Sequence, residues 1–153
     1  MIVGCGCRGR ALGAAVLELG HAVRGTSRDP DALGAISAAG AEGVLADPDR
    51  LGTLLLAIEG VSAVCWLMGT APPPALHGER LESMLELLVD TPVRGFVYEA
   101  AGTAPAEAME RGAGLVLRAG DTFHMPVAVV DSDPAGHEEW LAAMTAAVGR
   151  VLG

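Results

Sequence analysis

The sequence predicts an α/β fold, a doubly wound parallel sheet of about six strands with helices on both faces. Three observations point there. Short apolar strands alternate with helix-length amphipathic segments along all 153 residues. Three of the helical segments open on Asp-Pro, and several close on glycine. The third observation is Val61 to Met68, a near-continuous apolar run of the kind a central parallel strand needs when both its faces are buried. No linker, repeat or low-complexity stretch interrupts the alternation, so residues 1–153 read as a single domain with one well-buried core.

Met1 to Arg28 holds the organising unit: a short apolar strand, a glycine-rich turn, a helix and a second strand. Gly4, Gly6 and Gly9 spell G-x-G-x-x-G, and Ala11, Leu12, Ala15, Val16 and Leu19 follow at helical spacing. Each glycine has a task. Gly4 permits the tight turn, Gly6 lets backbone approach a pyrophosphate, and Gly9 lets the helix pack close to the strand. The helix N-terminus offers free N–H groups and a partial positive charge to phosphates. Gly20 caps the helix and His21 to Gly25 restart a strand, which supplies the context the motif requires. A nucleotide-binding turn is the functional reading and a structural glycine corner the bland one.

The end of the second strand bears on which nucleotide. An NAD site usually places Asp or Glu about 20 residues after the glycines, as an acceptor for ribose hydroxyls. Thr26, Ser27 and Arg28 stand there instead. Two hydroxyls and a guanidinium suit a 2'-phosphate, which favours NADP(H) over NAD(H). Alternatively Arg28 is solvated and Thr26-Ser27 merely leads into the Asp29-Pro30 cap.

Further along, Asp29 to Ala39 reads as helix ended by Gly40, and Gly43 to Ala46 as a third strand. Asp47-Pro48 starts a helix that runs through Leu54, Leu55 and Ile58 to Gly60. After the Val61 to Met68 strand come Gly69, Thr70 and the run Pro72-Pro73-Pro74, a stiff loop at a strand's carboxyl end, where ligands sit in such sheets. Leu76 to Val89 is helical, with Leu81, Met84, Leu85 and Leu88 on one face, and Arg94 to Glu99 is the fifth strand. Pro105 to Phe123 reads as helix weakened by Gly112, Gly114 and Gly120, which mark a break or a close contact. Val127 to Val130 is the sixth strand, and Asp133-Pro134 caps a last helix with Trp140, Leu141, Met144, Val148 and Val151 on its core stripe. The first strand is unusually short, pointing to missing residues or a misassigned start.

Composition narrows the function classes. Net charge is −9 with no basic stripe, which argues against nucleic acid. Lysine is absent, which excludes a G-x-x-x-x-G-K phosphate loop, Schiff-base chemistry and any Tyr-x-x-x-Lys pair. No apolar stretch reaches membrane-spanning length, and the N-terminus lacks the basic and long apolar regions of a signal peptide. Cys5, Cys7 and Cys65, an odd number, read as reduced thiols of a cytoplasmic protein. Without a second Cys/His pair at ligand spacing, no metal site is expected.

The chain from Gly4-Cys5-Gly6-Cys7-Arg8-Gly9-Arg10-Ala11-Leu12 through Gly20-His21, Thr26-Ser27-Arg28 and Asp47 resembles the atypical or extended short-chain dehydrogenases. The likeness is to the NmrA-like and epimerase-like branch of NAD(P)-binding Rossmann proteins, over essentially the whole chain. It implies that Cys7 and Arg8 belong to the cofactor turn. It also implies that Asp47 lies near the adenine amino group, and that Leu67, Met68 and Gly69 line the cofactor's ribose. Asp47 reads equally as a plain helix cap. The family's catalytic Tyr and Lys four residues apart are missing, alanine follows Glu99 where a hydroxyl would stand, with Thr103 the next candidate, and the separate substrate domain is absent.

Candidate acid-base residues are Glu99, Tyr98 and His124, with His77 after the proline loop. Glu99 reads either as a base facing the cleft or as an acceptor for nearby backbone N–H groups; His77 and His124 read as surface or loop residues. Asp131 and Asp133 invite a metal reading, which helix capping explains better for Asp133. Two functions from different classes follow. One is a non-catalytic NADP(H)-binding module, a redox sensor or regulatory partner. The other is a small NADP-dependent oxidoreductase whose pocket, using Glu99, Tyr98 or His124, is completed across a homodimer. A degenerate domain binding no dinucleotide is the residual reading.

Overall fold

The computed structural model describes residues 1–153 and contains one six-stranded, all-parallel sheet. Its strands are β1 (Ile2–Val3), β2 (Arg24–Ser27), β3 (Glu42–Leu45), β4 (Val64–Trp66), β5 (Phe96–Glu99) and β6 (Val127–Val130). The helices are α1 (Cys7–Glu18), α2 (Leu33–Ala38), α3 (Leu51–Leu56), α4 (Glu79–Leu88), α5 (Ala106–Phe123) and α6 (His137–Leu152). Strand order is β3-β2-β1-β4-β5-β6, the Rossmann-like arrangement, with the order reversing between β1 and β4. No helix is long and apolar enough to cross a membrane.

The two-residue periodicity of the strands builds two cores. Ile2, Cys65 and Val97 point to one face, where they meet Leu12 and Val16 of α1, Ile36 of α2 and Trp140, Met144 and Val148 of α6. Val3, Val64, Trp66, Phe96 and Tyr98 point to the other, against Leu54 of α3, Leu81, Met84 and Leu85 of α4 and Val116 of α5. Both faces of β4 and β5 are therefore buried, the physical reason these strands read as unbroken apolar runs.

Element boundaries depart from the sequence reading where long-range pairing decides them. β2 lies at Arg24–Ser27 rather than from His21, because its ladder is set by β1 and β3: Thr26 pairs with Val3 and Val44. His21 and Ala22 are exposed and serve only to reach the sheet. β4 occupies the middle of its apolar run; the adjoining Ala63 and Leu67 are buried, and the Leu67 N–H still donates to the Val3 carbonyl (3.0 Å). Of the Asp-Pro corners, the one at Asp29 caps a helical turn, and those at Asp47 and Asp133 are turns after which the helix starts later. Asp29 accepts from the Asp31 N–H (3.0 Å) and opens a 3-10 turn over Pro30–Ala32 before α2. Asp47 accepts from the Asp49 N–H (3.0 Å), and α3 begins at Leu51. Asp133 likewise accepts from the Ala135 N–H (2.9 Å), leaving Gly136 to precede α6. Pro74–His77 forms a separate 3-10 turn, so α4 starts at Glu79 rather than Leu76. α5 runs unbroken through its glycines; a Cβ at Gly112 would overlap the Tyr98 hydroxyl, so that glycine marks a close contact and no break.

Candidate functional site

The site is built where β1 hands over to α1. Val3 lies between Thr26 of β2 and Trp66 of β4, which fixes the chain's exit at the carboxyl edge. Gly4 then takes φ +84°, and a Cβ there would run into Met68 and, at 2.6 Å, the Leu67 carbonyl. The Cys5 N–H donates to the Thr26 carbonyl (2.9 Å), and Gly6 precedes α1 with no side-chain cap. The first helical bond is Arg10 N–H to Gly6 C=O, so the first-turn N–H groups of Cys7, Arg8 and Gly9 remain open to an anion. Nothing lies within 4 Å of a Cβ placed on Gly6, while one on Gly9 would stand 3.0 Å from the Gly4 carbonyl. The turn is thus open outward and tight inward.

Over this turn lies a cleft of about 320 Å³ at the switch between β1 and β4. Gly4, Gly6, Thr26, Ser27, Arg28, Asp47, Leu67 and Met68 line it, as does the Thr70–Pro73 loop. Thr26 is 1% exposed and its hydroxyl has no hydrogen-bond partner. That is costly unless a ligand supplies one. Ser27 accepts from the Asp29 N–H (3.1 Å). Arg28 is exposed and takes no part in any of the three ion pairs, whereas Arg24 and Arg80 are tied to Glu42 and Asp49. Asp47 lines the cleft, but its carboxylate is used in its own turn.

The remaining candidates lie elsewhere. Cys7 is exposed outside the cleft lining, accepting a hydrogen bond from Arg10 (3.3 Å). Gly69 and the Arg8 side chain face Glu99. Glu99, fully buried, accepts from the Gly69 N–H (2.9 Å) and the Trp140 indole (3.0 Å), and it pairs with the Arg8 guanidinium at 3.3 Å. Of the two readings of Glu99, the acceptor for backbone N–H is the one seen. Burial pushes its carboxyl up, and Arg8 is first among the groups that oppose this, followed by Gly69 and Trp140. Arg8 also lies 5.5 Å over the Trp140 ring.

Tyr98 and His77 form a second buried pair, which corrects the surface reading of His77. Nδ1 of His77 lies 2.6 Å from the Tyr98 hydroxyl and Nε2 lies 3.0 Å from the Met68 carbonyl. A carbonyl only accepts, so Nε2 carries the proton and Tyr98 donates to Nδ1. Burial lowers the His77 pKa, the Met68 bond acting the other way, and burial followed by the Glu99 charge raises that of Tyr98. His124 is exposed and left-handed (φ 54°) at the end of α5, before β6. It stands at the sheet's amino edge, opposite the edge at which β5 ends in Glu99, so the two do not share a pocket. Cys5 and Cys65 are buried thiols, each pushed up to about 11 by burial.

Trp140 and Thr70 were not legible as site residues. The available signal was that a buried indole N–H needs an acceptor, and a carboxylate ending a strand needs donors.

No family model and no curated protein matches the sequence. Solved structures do match in fold. The UDP-glucuronic acid 4-epimerase of Bacillus cereus, in complex with NAD, has a TM-score of 0.64 at 16% identity over 85% of this chain and 54% of its own. The Citrobacter triphenylmethane reductase complexed with NADP(H) has a TM-score of 0.63 at 17% identity, covering 86% and 48%. The NADPH-dependent quinone oxidoreductase of Escherichia coli has a TM-score of 0.60 at 16%, covering 86% and 46%. This chain therefore spans about half the length of the structures it matches. At such identities the likeness is one of fold.

Proposed function

We propose that this chain binds NAD(P)(H), with preference for NADP(H), as a non-catalytic module acting as a redox sensor or regulatory partner. The observation that carries this is the cleft at the β1/β4 switch, where the uncapped start of α1, the orphaned Thr26 hydroxyl and the unpaired Arg28 converge. These residues fit an adenosine nucleotide: helix N–H groups for the phosphates, hydroxyls for a ribose, a guanidinium for a 2'-phosphate. The fold neighbours include proteins in complex with NAD or NADP(H), which supports the same ligand class. When bound, a nicotinamide dinucleotide supplies hydride chemistry. This chain's own residues favour holding over reacting: Tyr98 spends its proton on His77, Glu99 is saturated by three donors, and no lysine exists.

Calorimetric titration with NADPH and NADH, repeated on Arg28→Ala, tests the assignment. Charge-assisted bonds should favour NADPH by roughly 1.5 to 3 kcal/mol, and the substitution should remove that margin. No binding of either nucleotide at millimolar concentration overturns the reading.

A second reading, a small NADP-dependent oxidoreductase completed by a second copy, has one observation in its favour. Leu87 of α4, the adjoining Val89 and Leu117 of α5 are exposed apolar residues on helices that pack side by side. Light scattering decides here: a strict monomer excludes a shared pocket.

A further inference from the structure

A whole dinucleotide needs space past the start of α1 and over β5, and no residue of β5 or of the loop after it lines the cleft. Its lining includes Gly6 and Thr70 but neither Arg8 nor Glu99. The Arg8 guanidinium stands 3.5 Å from the Thr70 hydroxyl and 3.3 to 3.4 Å from the Glu99 carboxylate, over the Trp140 ring. Glu99 and Trp140 are both 0% exposed and bonded to each other, with His137 stacked on the indole. The loop after β5 closes the same region: the Ala104 N–H donates to the Gly69 carbonyl (2.8 Å), and a Cβ on Gly69 or Gly102 would overlap the other loop's backbone. Side chains and interlocked loops thus fill the carboxyl edge over β4 and β5. A ligand running across the start of α1 from the cleft would need that space for its second nucleotide.

Swinging Arg8 aside does not come free, since it leaves the buried Glu99 carboxylate without its counter-charge. The volume agrees with a half site. About 320 Å³ lies at the small end of ligand pockets and suits one nucleotide.

We infer that the chain grips its ligand by the adenosine-phosphate half alone, the Arg8–Glu99–Trp140 cluster occupying the place of the other half. The inference rests on the nucleotide reading above and narrows it. The ligand class is a 2'-phosphorylated adenosine 5'-phosphate, whether free or as one end of NADP(H), with the nicotinamide left in solvent. The oxidation state of the nicotinamide is then invisible to the protein, which selects the regulatory role over the redox-sensing one.

The test is a set of calorimetric titrations of the unaltered chain. Adenosine 2',5'-bisphosphate is compared with NADPH, ADP with NADH, and NADP⁺ with NADPH. Within each pair the dissociation constants are expected to agree within about threefold. The pairing with NADH keeps the comparison valid if the 2'-phosphate contributes nothing. A dinucleotide more than about threefold tighter than its adenosine half, or a larger gap between NADP⁺ and NADPH, overturns the half-site while leaving the nucleotide reading standing. Absence of binding by all five ligands removes both, so the two failures are distinguishable.

Discussion

Thr26 places a hydroxyl where the folded protein gives it no partner, one residue before the half-buried end of β2. Thr26→Val keeps the shape and removes the unpaired group. It should stabilise the free protein by about 1 kcal/mol while weakening nucleotide binding, seen as a higher melting midpoint with a smaller ligand-induced rise. An unchanged ligand-induced rise would remove Thr26 from the site. His77 carries the clearest pH dependence. Its folded pKa lies below the ordinary 6.5, so the unfolded chain binds a proton that the folded chain refuses. Its contribution is complete above that value and is lost as pH falls from about 6.5 toward the folded pKa. The denaturation midpoint should therefore drop between about pH 7.5 and 5.5, and His77→Gln should lower it at both ends and flatten the slope. A variant retaining the full slope would show that other groups cause it. The residue scale also separates what a sequence discloses. That Gly4, Gly6, Thr26, Ser27 and Arg28 share one cleft is legible, because a single chain-local strand–turn–helix–strand unit carries them all. Arg8 and Glu99 are 91 residues apart and Glu99 and Trp140 are 41 apart, so their meeting depends on strand order, which no local pattern encodes. His77 looked solvated because a proline run precedes it; its burial comes from a 3-10 turn folding back on Tyr98.

Among the elements, α5 shows how a poor helical sequence is held by its packing. Gly112 costs helix propensity of about 1 kcal/mol against alanine, yet the Tyr98 ring lies where a Cβ would go. Gly112→Ala should therefore lower stability by about 1 to 2 kcal/mol net, through overpacking against the Tyr98–His77 pair. A more stable variant in chemical denaturation would mean that the ring moves freely. The same competition explains the element boundaries. β6 was read correctly because its apolar run and its ladder to β5 coincide. Asp29 caps the helical turn that leads into α2, whereas Asp47 and Asp133 make the same side-chain bond to an N–H two residues on without a helix following directly; only the following backbone distinguishes the two outcomes.

At the scale of the whole molecule, the sheet presents two edges with two openings. The amino edge carries the larger groove, about 650 Å³, lined by Val16, Val23, Val61 and Val148 with Arg24 and Arg94. Arg24 is already engaged by Glu42 and by the Ala57 and Glu59 carbonyls, and the glycine turns that line this groove, Gly40 and Gly60, follow helix ends, so no helix N-terminus opens there. The smaller carboxyl-edge cleft carries the glycine turn and the uncapped start of α1, at the switch point where open parallel sheets place ligands. Size and chemistry thus point to opposite edges. Amide shift mapping by NMR on the isotope-labelled chain, titrated with NADPH, tests the choice directly. Shifts concentrated at Gly4, Gly6, Gly9, Thr26, Ser27 and Arg28 are the expected result; shifts confined to Val23, Val61, Ser62 and Arg94 would place the ligand at the other edge and contradict it.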